Sequence, residues 1–132
     1  MRKITLQIVL VLFVSLLVVS CENENVTGSE SKSAEIFEIH LQTWFENNPV
    51  QVKFDNEIIF DDTISTGSIL AYASIISLDV TQGEHYIQVI VNDSIQGDTT
   101  LTIGDSLYVA VSYNSDQEKI GFYTQDKPFA YK

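Results

Sequence analysis

Apolar and polar residues alternate along most of the chain after position 35. Phe37, Ile39 and Leu41 alternate with polar neighbours, and the same period of two recurs over 50–54 and 107–111. This period is typical of β-strands with one buried face, because successive side chains point to opposite faces of a sheet. The alternation predicts strands near residues 35–45, 49–54, 57–62, 75–81, 85–92, 94–103, 106–113 and 118–125.

Short polar turn motifs separate these segments, among them Asn47-Asn-Pro49, Asp55-Asn56 and Gly104-Asp105. Residues of these types tolerate turn or left-handed backbone. About seven or eight short strands without long helices between them predict an all-β fold, an antiparallel two-sheet sandwich of immunoglobulin-like or transthyretin-like type.

One segment is ambiguous. Ile69, Tyr72, Ala73 and Ile76 fall at helical spacing, so a short helix or irregular crossover competes with a strand over residues 68–76.

The sequence from 50 to 113 resembles small PEGA-type surface domains. "VQVKFDNEIIFDD" has the family's strand, tight turn and second strand, and "LDVTQGEHYIQVIV" has its aliphatic strand, glycine turn and H-x-I/V-x-V strand. Asp55-Asn56 stands where the family usually has an Asp-Gly turn. The resemblance implies an extracytoplasmic binding or spacer module, and it transfers no catalytic residue.

The amino terminus has the layout of a secretory signal: Arg2 and Lys3 precede a mostly apolar run from Ile4 to Val19. Val18-Val19-Ser20-Cys21 then resembles the bacterial lipobox. The resemblance implies cleavage after residue 20 and acylation of Cys21, with palmitate among the acyl chains. The alternative is an uncleaved membrane helix, for which this run is at the short limit of about 17 residues.

The predicted domains are therefore a signal peptide at 1–20, a lipidated flexible linker at 21–34 and a β-sandwich at 35–132. The linker is polar and contains no aromatic residue, which is typical of segments that cannot bury enough surface to fold. Cys21 is the sole cysteine, so an intramolecular disulfide is excluded. The expected location is the bacterial cell envelope, lipid-anchored in the outer membrane on its periplasmic or surface face.

The charge balance is strongly acidic, with 18 Asp and Glu against 7 Lys and Arg. Such a surface repels phosphate backbones, so nucleic acid is not an expected partner. His40 and His85 lack metal-ligand spacing, and no acidic run has the calcium-loop pattern. No metal or cofactor is therefore predicted. Both histidines are expected on strands, His40 solvated and His85 half covered by Tyr86.

Aromatic residues are the candidate partner contacts, because they bury a large area at a small entropic cost; the alternative is that most of them fill the core or cover its ends. Two function classes remain. The first is a non-catalytic binding or scaffold module, anchored to membrane lipid, that recognises a protein or a glycan. The second is a small envelope hydrolase or inhibitor-like factor with a site of polar loop residues. The predicted contact residues are Trp44, Phe45, Tyr123, Phe129 and Tyr131.

Overall fold

The described part of the chain is built from eight β-strands. The structure, a computed structural model, describes residues 30–132, so Cys21 and the predicted signal peptide lie outside the described residues. Over this range the chain forms strands and no helix, which confirms the predicted all-β class. The strands are β1 (Ile36–Leu41), β2 (Asn48–Phe54), β3 (Glu57–Ile64), β4 (Ser74–Ser77), β5 (Gly83–Val91), β6 (Ile95–Ile103), β7 (Ser106–Asn114) and β8 (Lys119–Gln125).

Two four-stranded sheets face each other in the predicted sandwich. The first sheet has the order β4-β1-β7-β8 and the second the order β3-β2-β5-β6. The pairing is mostly antiparallel, but β1 and β7 run parallel, from Ile36 opposite Ser106 to Leu41 opposite Val111. The first strand therefore lies inside its sheet and has a partner on both sides.

The core consists of the inward-facing residues of both sheets. Phe37, Ile39 and Leu41 of β1 are buried, as their alternation predicts, and Val52 and Val109 are fully buried on the inner faces. Burial of each such side chain stabilises the fold by about 1.5–3 kcal/mol. The packed inner faces fix the register of every strand, because a slip of one residue would turn these side chains to solvent.

The turn between β2 and β3 follows directly from its two residues. Asp55 and Asn56 have φ of 48° and 68°, and Phe54 pairs with Glu57 across them. Two successive residues with positive φ form the two-residue hairpin turn whose twist matches that of the strands. Asp and Asn adopt this backbone more readily than most residues.

The ambiguous segment 68–76 is a turn followed by a strand. The Ala71 N–H donates to the Gly67 carbonyl at 3.3 Å, and the Gly67 N–H donates to the Tyr72 carbonyl at 3.1 Å. One turn is thus closed, and the positive φ of Ala71, 54°, ends it. β4 begins at Ser74, so the strand alternative is the correct one for its last part.

The sandwich has two distinct ends. At the entry end, where the chain joins the fold, the Ala34 N–H donates to the Val80 carbonyl at 2.8 Å and Lys32 forms an ion pair with Asp105 at 2.8 Å. The chain thus makes its first contacts with the sandwich at Lys32 and Ala34, within the predicted linker. The opposite end, called the far end below, is formed by the loops 42–47, 65–73, 92–94 and 115–118.

Candidate functional site

Phe45 anchors the β1–β2 loop at the far end. Its side chain is 1% exposed and stacks on Tyr113, with ring centroids 6.0 Å apart. Phe45 was a candidate partner contact together with Trp44, with a place in the core as the alternative, and the structure places it in the core. The loop therefore turns one aromatic residue inward and its neighbour outward.

Thr66 of the facing β3–β4 loop holds this arrangement. Its Oγ1 accepts from the Phe45 N–H at 3.1 Å and donates to the Gln42 carbonyl at 2.7 Å. Its own N–H donates to the Phe45 carbonyl at 2.8 Å. On the other side of Trp44, the Thr43 carbonyl accepts from the Tyr113 N–H at 3.2 Å. Both neighbours of Trp44 are therefore fixed.

Trp44 is the exposed member of the pair. Its side chain is 70% exposed, and its φ of 73° lies in the left-handed region. A bulky residue is rarely found there, and such backbone costs about 1–3 kcal/mol unless the surroundings enforce it. The contacts of Thr43 and Phe45 supply that enforcement. An exposed aromatic residue held at an unfavourable backbone conformation is a marker of function.

Two hollows adjoin Trp44. One, of about 300 Å³, is lined in part by Trp44, Glu46, Thr66 and Ala71. The other, of about 180 Å³, lies between Trp44 and the turn that contains Asn114 and Asp116. Each hollow thus has Trp44 and one acidic residue in its lining.

Two further apolar side chains are exposed beside the first hollow. Ile69 is 81% exposed and Leu70 is also exposed, and their chain neighbours Ser68 and Ala71 line that hollow with Trp44. Contiguous exposed apolar residues mark interaction sites on soluble domains. We call the set Trp44, Glu46, Ile69, Leu70 and Asp116 the Trp44 surface.

The charged residues of the four far-end loops all have one sign. Its four loops contain Glu46, Asp93, Asp116 and Glu118 and neither Lys nor Arg, and all four carboxylate residues are exposed. The nearest basic residue in the sequence is Lys119, which begins β8. With Lys119 counted, the far end has four acidic residues and one basic residue, a net negative charge that favours cationic groups.

The carboxyl-terminal aromatics form a second, separate group. Phe129 packs against Tyr123 with ring centroids 6.3 Å apart, and against Tyr108 of β7 at 6.5 Å. Tyr131 lies 4.9 Å from Tyr72. The three predicted contacts Tyr123, Phe129 and Tyr131 are thus close together on the outer face of the first sheet. Tyr123 is exposed there, whereas Phe129 and Tyr131 are partly buried.

His40 lies beneath this group, so the prediction of a solvated histidine was wrong. It does occupy the outer face of β1, but the carboxyl-terminal segment covers it and leaves it 4% exposed. Phe129 contacts its ring edge-on at 5.0 Å and Tyr131 stacks on it at 5.8 Å. A face that the alternation marks as outward is here closed by a segment from the other end of the chain.

A chain of hydrogen bonds satisfies the covered polar groups. Gln42 Nε2 donates to the Tyr131 hydroxyl at 3.0 Å, which lies 2.6 Å from His40 Nδ1, and His40 Nε2 lies 2.8 Å from Glu38 Oε2. Burial raises the pKa of Tyr131, so its hydroxyl is protonated at neutral pH and has a proton to share with Nδ1. His40 Nε2 donates to the Glu38 carboxylate, which can only accept, an assignment made from the bonding partners. Both ring nitrogens are engaged in fastening the carboxyl-terminal segment.

His85 has a different environment at the entry end. It belongs to a strand, as predicted, and stacks on Phe54 with ring centroids 5.0 Å apart. Its Nδ1 lies 2.7 Å from Asp55 Oδ2, and its Nε2 lies 2.8 Å from the Thr81 carbonyl. These contacts join the β2–β3 turn to the start of β5.

The sequence analysis did not identify Glu46, Asp116 and the apolar pair Ile69-Leu70 as parts of the Trp44 surface, nor Thr66 as the residue that holds its loop. The apolar pair did carry a signal, because it stands between turn residues where nothing requires burial. Within residues 30–132, no three His, Asp or Glu side chains are grouped so that they could hold a metal ion, and no helix has the length and apolarity to cross a membrane.

Comparisons with protein families, with curated proteins and with solved structures found no match to this chain. Any functional inference therefore depends on the geometry of the Trp44 surface and on the sequence motifs.

Proposed function

We propose that this protein is a membrane-anchored lipoprotein of the bacterial cell envelope, a non-catalytic binding or scaffold module that presents the far end of its sandwich to a protein or glycan partner. The observation that carries the proposal is the exposure of Trp44 at positive φ between two fixed neighbours. An exposed aromatic residue on a rigid frame loses little entropy on binding. It is therefore well suited to anchor a partner.

The position of the chain entry supports the anchored arrangement. Lys32 and Ala34 join the fold at the entry end, so an anchor at Cys21 would connect to that end and leave Trp44 at the opposite end of the domain. The 11 residue-to-residue steps from Cys21 to Lys32 could span at most about 40 Å, at 3.3–3.6 Å per residue. Two or more acyl chains on Cys21 hold a protein to a membrane where one gives only marginal binding.

The anchor is tested by the mass and the partitioning of the mature protein. We expect loss of residues 1–20, a mass increase that corresponds to acyl chains on Cys21, and partition into the detergent phase. Cys21→Ser is the control and should leave the protein without acyl chains. A mature protein that retains Met1, or that has a free thiol at Cys21, would contradict the proposal.

The binding face is tested by site-specific photo-crosslinking in intact cells. A crosslinking residue in place of Trp44 should give a discrete adduct, and one in place of exposed Ile58 on β3 serves as the matched control. Adducts from position 58 and none from position 44 would place the interface elsewhere and refute the role of the far end.

A further inference from the structure

We propose that the Trp44 surface binds a protein partner through a segment that places an arginine against the indole and apolar side chains against Ile69 and Leu70. This inference rests on the proposed function and narrows it to one class of partner. It is drawn from three properties of the surface: its charge, the position of its carboxylates around the indole, and its exposed aliphatic residues.

The charge of the far end selects a cationic partner. The four far-end loops contain four carboxylate side chains and no Lys or Arg. A partner that carries phosphate, sulfate or carboxylate groups would be repelled, and a basic partner would be attracted and oriented before contact. Complementary charge of this kind also discriminates against wrong partners.

The position of the carboxylates selects arginine in particular. Glu46 lines one hollow beside Trp44 and Asp116 lines the other, so a cation that binds beside Trp44 in either hollow has an acidic residue in the same lining. A guanidinium group can stack flat on an aromatic face while its edge donates to a carboxylate. The ammonium group of lysine has neither the flat shape nor the paired donors.

The aliphatic residues select a protein segment over a sugar. Ile69 is 81% exposed and Leu70 is exposed beside it. Their removal from water favours binding when the partner covers them with apolar groups. A pyranose ring could stack on Trp44, but its hydroxyl groups would lose hydration against two aliphatic side chains. A protein segment with apolar residues next to its arginine fits all parts of the surface.

Trp44 is the sole tryptophan of the chain, so its fluorescence reports on this surface directly. The full-length chain in detergent is titrated with a peptide of alternating arginine and leucine, and with the same peptide in which neutral citrulline replaces arginine. We expect saturable binding of the arginine peptide, weakened by salt, and at least about 10-fold weaker binding of the citrulline peptide, a difference of about 1.4 kcal/mol. Equal binding of the two peptides would overturn the inference.

Protein variants test the same point, with calorimetry as the second readout. The double variant Glu46→Gln, Asp116→Asn should bind the arginine peptide at least about 10-fold more weakly than the unchanged protein does. Glu57→Gln, Asp61→Asn is the control, because it removes two exposed carboxylates of β3 instead. All four positions are exposed, so the variants are expected to fold, which circular dichroism checks. An unchanged affinity of the first double variant would overturn the inference.

A neutral oligosaccharide, cellohexaose, separates this inference from the proposed function. If cellohexaose changes the Trp44 fluorescence and the arginine peptide does not, the partner is a glycan, and the inference fails while the proposed function stands. If neither probe binds, the inference fails, and the crosslinking from position 44 decides the proposed function independently.

Discussion

His85 Nδ1 lies 2.7 Å from Asp55 Oδ2, an ion pair that joins the start of β5 to the β2–β3 turn. The other ring nitrogen of His85 faces the Thr81 carbonyl, which can only accept a hydrogen bond. The imidazole can therefore donate to both partners only when it is protonated. Burial alone would lower the pKa of His85, but the hydrogen bonds to Asp55 and Thr81 outweigh it and raise the pKa above 6.5.

Protonation of His85 should make stability depend on pH. Because its pKa is raised in the folded state, its contribution is complete below about pH 6.5, the usual value, and is lost as the pH rises through the folded pKa. The pKa of Asp55 is lowered, chiefly by the Tyr86 N–H and also by His85, so its contribution is lost as the pH falls below about 3.9. Thermal melts from pH 4 to 9 should show a decline above about pH 6.5 that His85→Gln removes. An equal decline in this variant would contradict the assignment.

Gly97 should not tolerate a side chain. A Cβ atom at this position would lie 2.7 Å from Ile120 Cβ and 3.3 Å from the Phe122 ring, where the edge strands β6 and β8 of the two sheets meet. We expect Gly97→Ala to lower the free energy of unfolding by about 1–3 kcal/mol, the usual cost of overpacking. Gly104→Ala is the control, because nothing lies within 4 Å of its Cβ position. If denaturant titrations gave the two variants the same free energy of unfolding, the close approach of Gly97 to Ile120 and Phe122 would be refuted.

Thr66→Val should loosen the far end. The change keeps the shape of the side chain but leaves the Phe45 N–H and the Gln42 carbonyl without the hydroxyl partner. A buried polar group without a partner costs about 1–3 kcal/mol, and the fluorescence anisotropy of Trp44 should fall as its frame becomes mobile. Thr66→Ser retains the hydroxyl and should restore both properties. If the serine variant behaved like the valine variant, the hydroxyl would not be the cause.

Tyr131→Phe should weaken the attachment of the carboxyl-terminal segment. It removes the hydroxyl that contacts His40 and Gln42 and leaves covered nitrogen atoms without a partner, at a cost of about 1–3 kcal/mol. The control is Tyr123→Phe, because Tyr123 is exposed. Hydrogen exchange of the His40 and Gln42 amides should be faster in Tyr131→Phe alone, and equal exchange in the two variants would contradict the network.

The sequence predicted the strands because alternation follows from the backbone itself. Residues such as Phe37, Val52 and Val109 are buried wherever a strand has one face on the core. Asp55-Asn56 likewise specified its turn through the backbone preference of two residues. Both inferences need only neighbours in the chain.

The errors have a different origin, because they depend on contacts between distant residues. Alternation placed His40 on the outer face of β1, but it carries no information on whether a later segment covers that face. Trp44 and Phe45 are adjacent and both apolar, and the positive φ at Trp44 decides which of them is buried. The parallel pairing of β1 with β7 was missed because alternation does not determine the order of strands in a sheet.

That parallel pairing joins the first strand of the sandwich to a late part of the chain. Ile36 is opposite Ser106, so β1 cannot take its place until about four-fifths of the chain is available, whereas β2 pairs with β3 and β5 with β6 across short turns. Closing contacts between distant residues is slow, and sandwiches of this kind fold in milliseconds to seconds. The first strand of the sandwich is therefore without its β7 partner until residues 106–111 are in place.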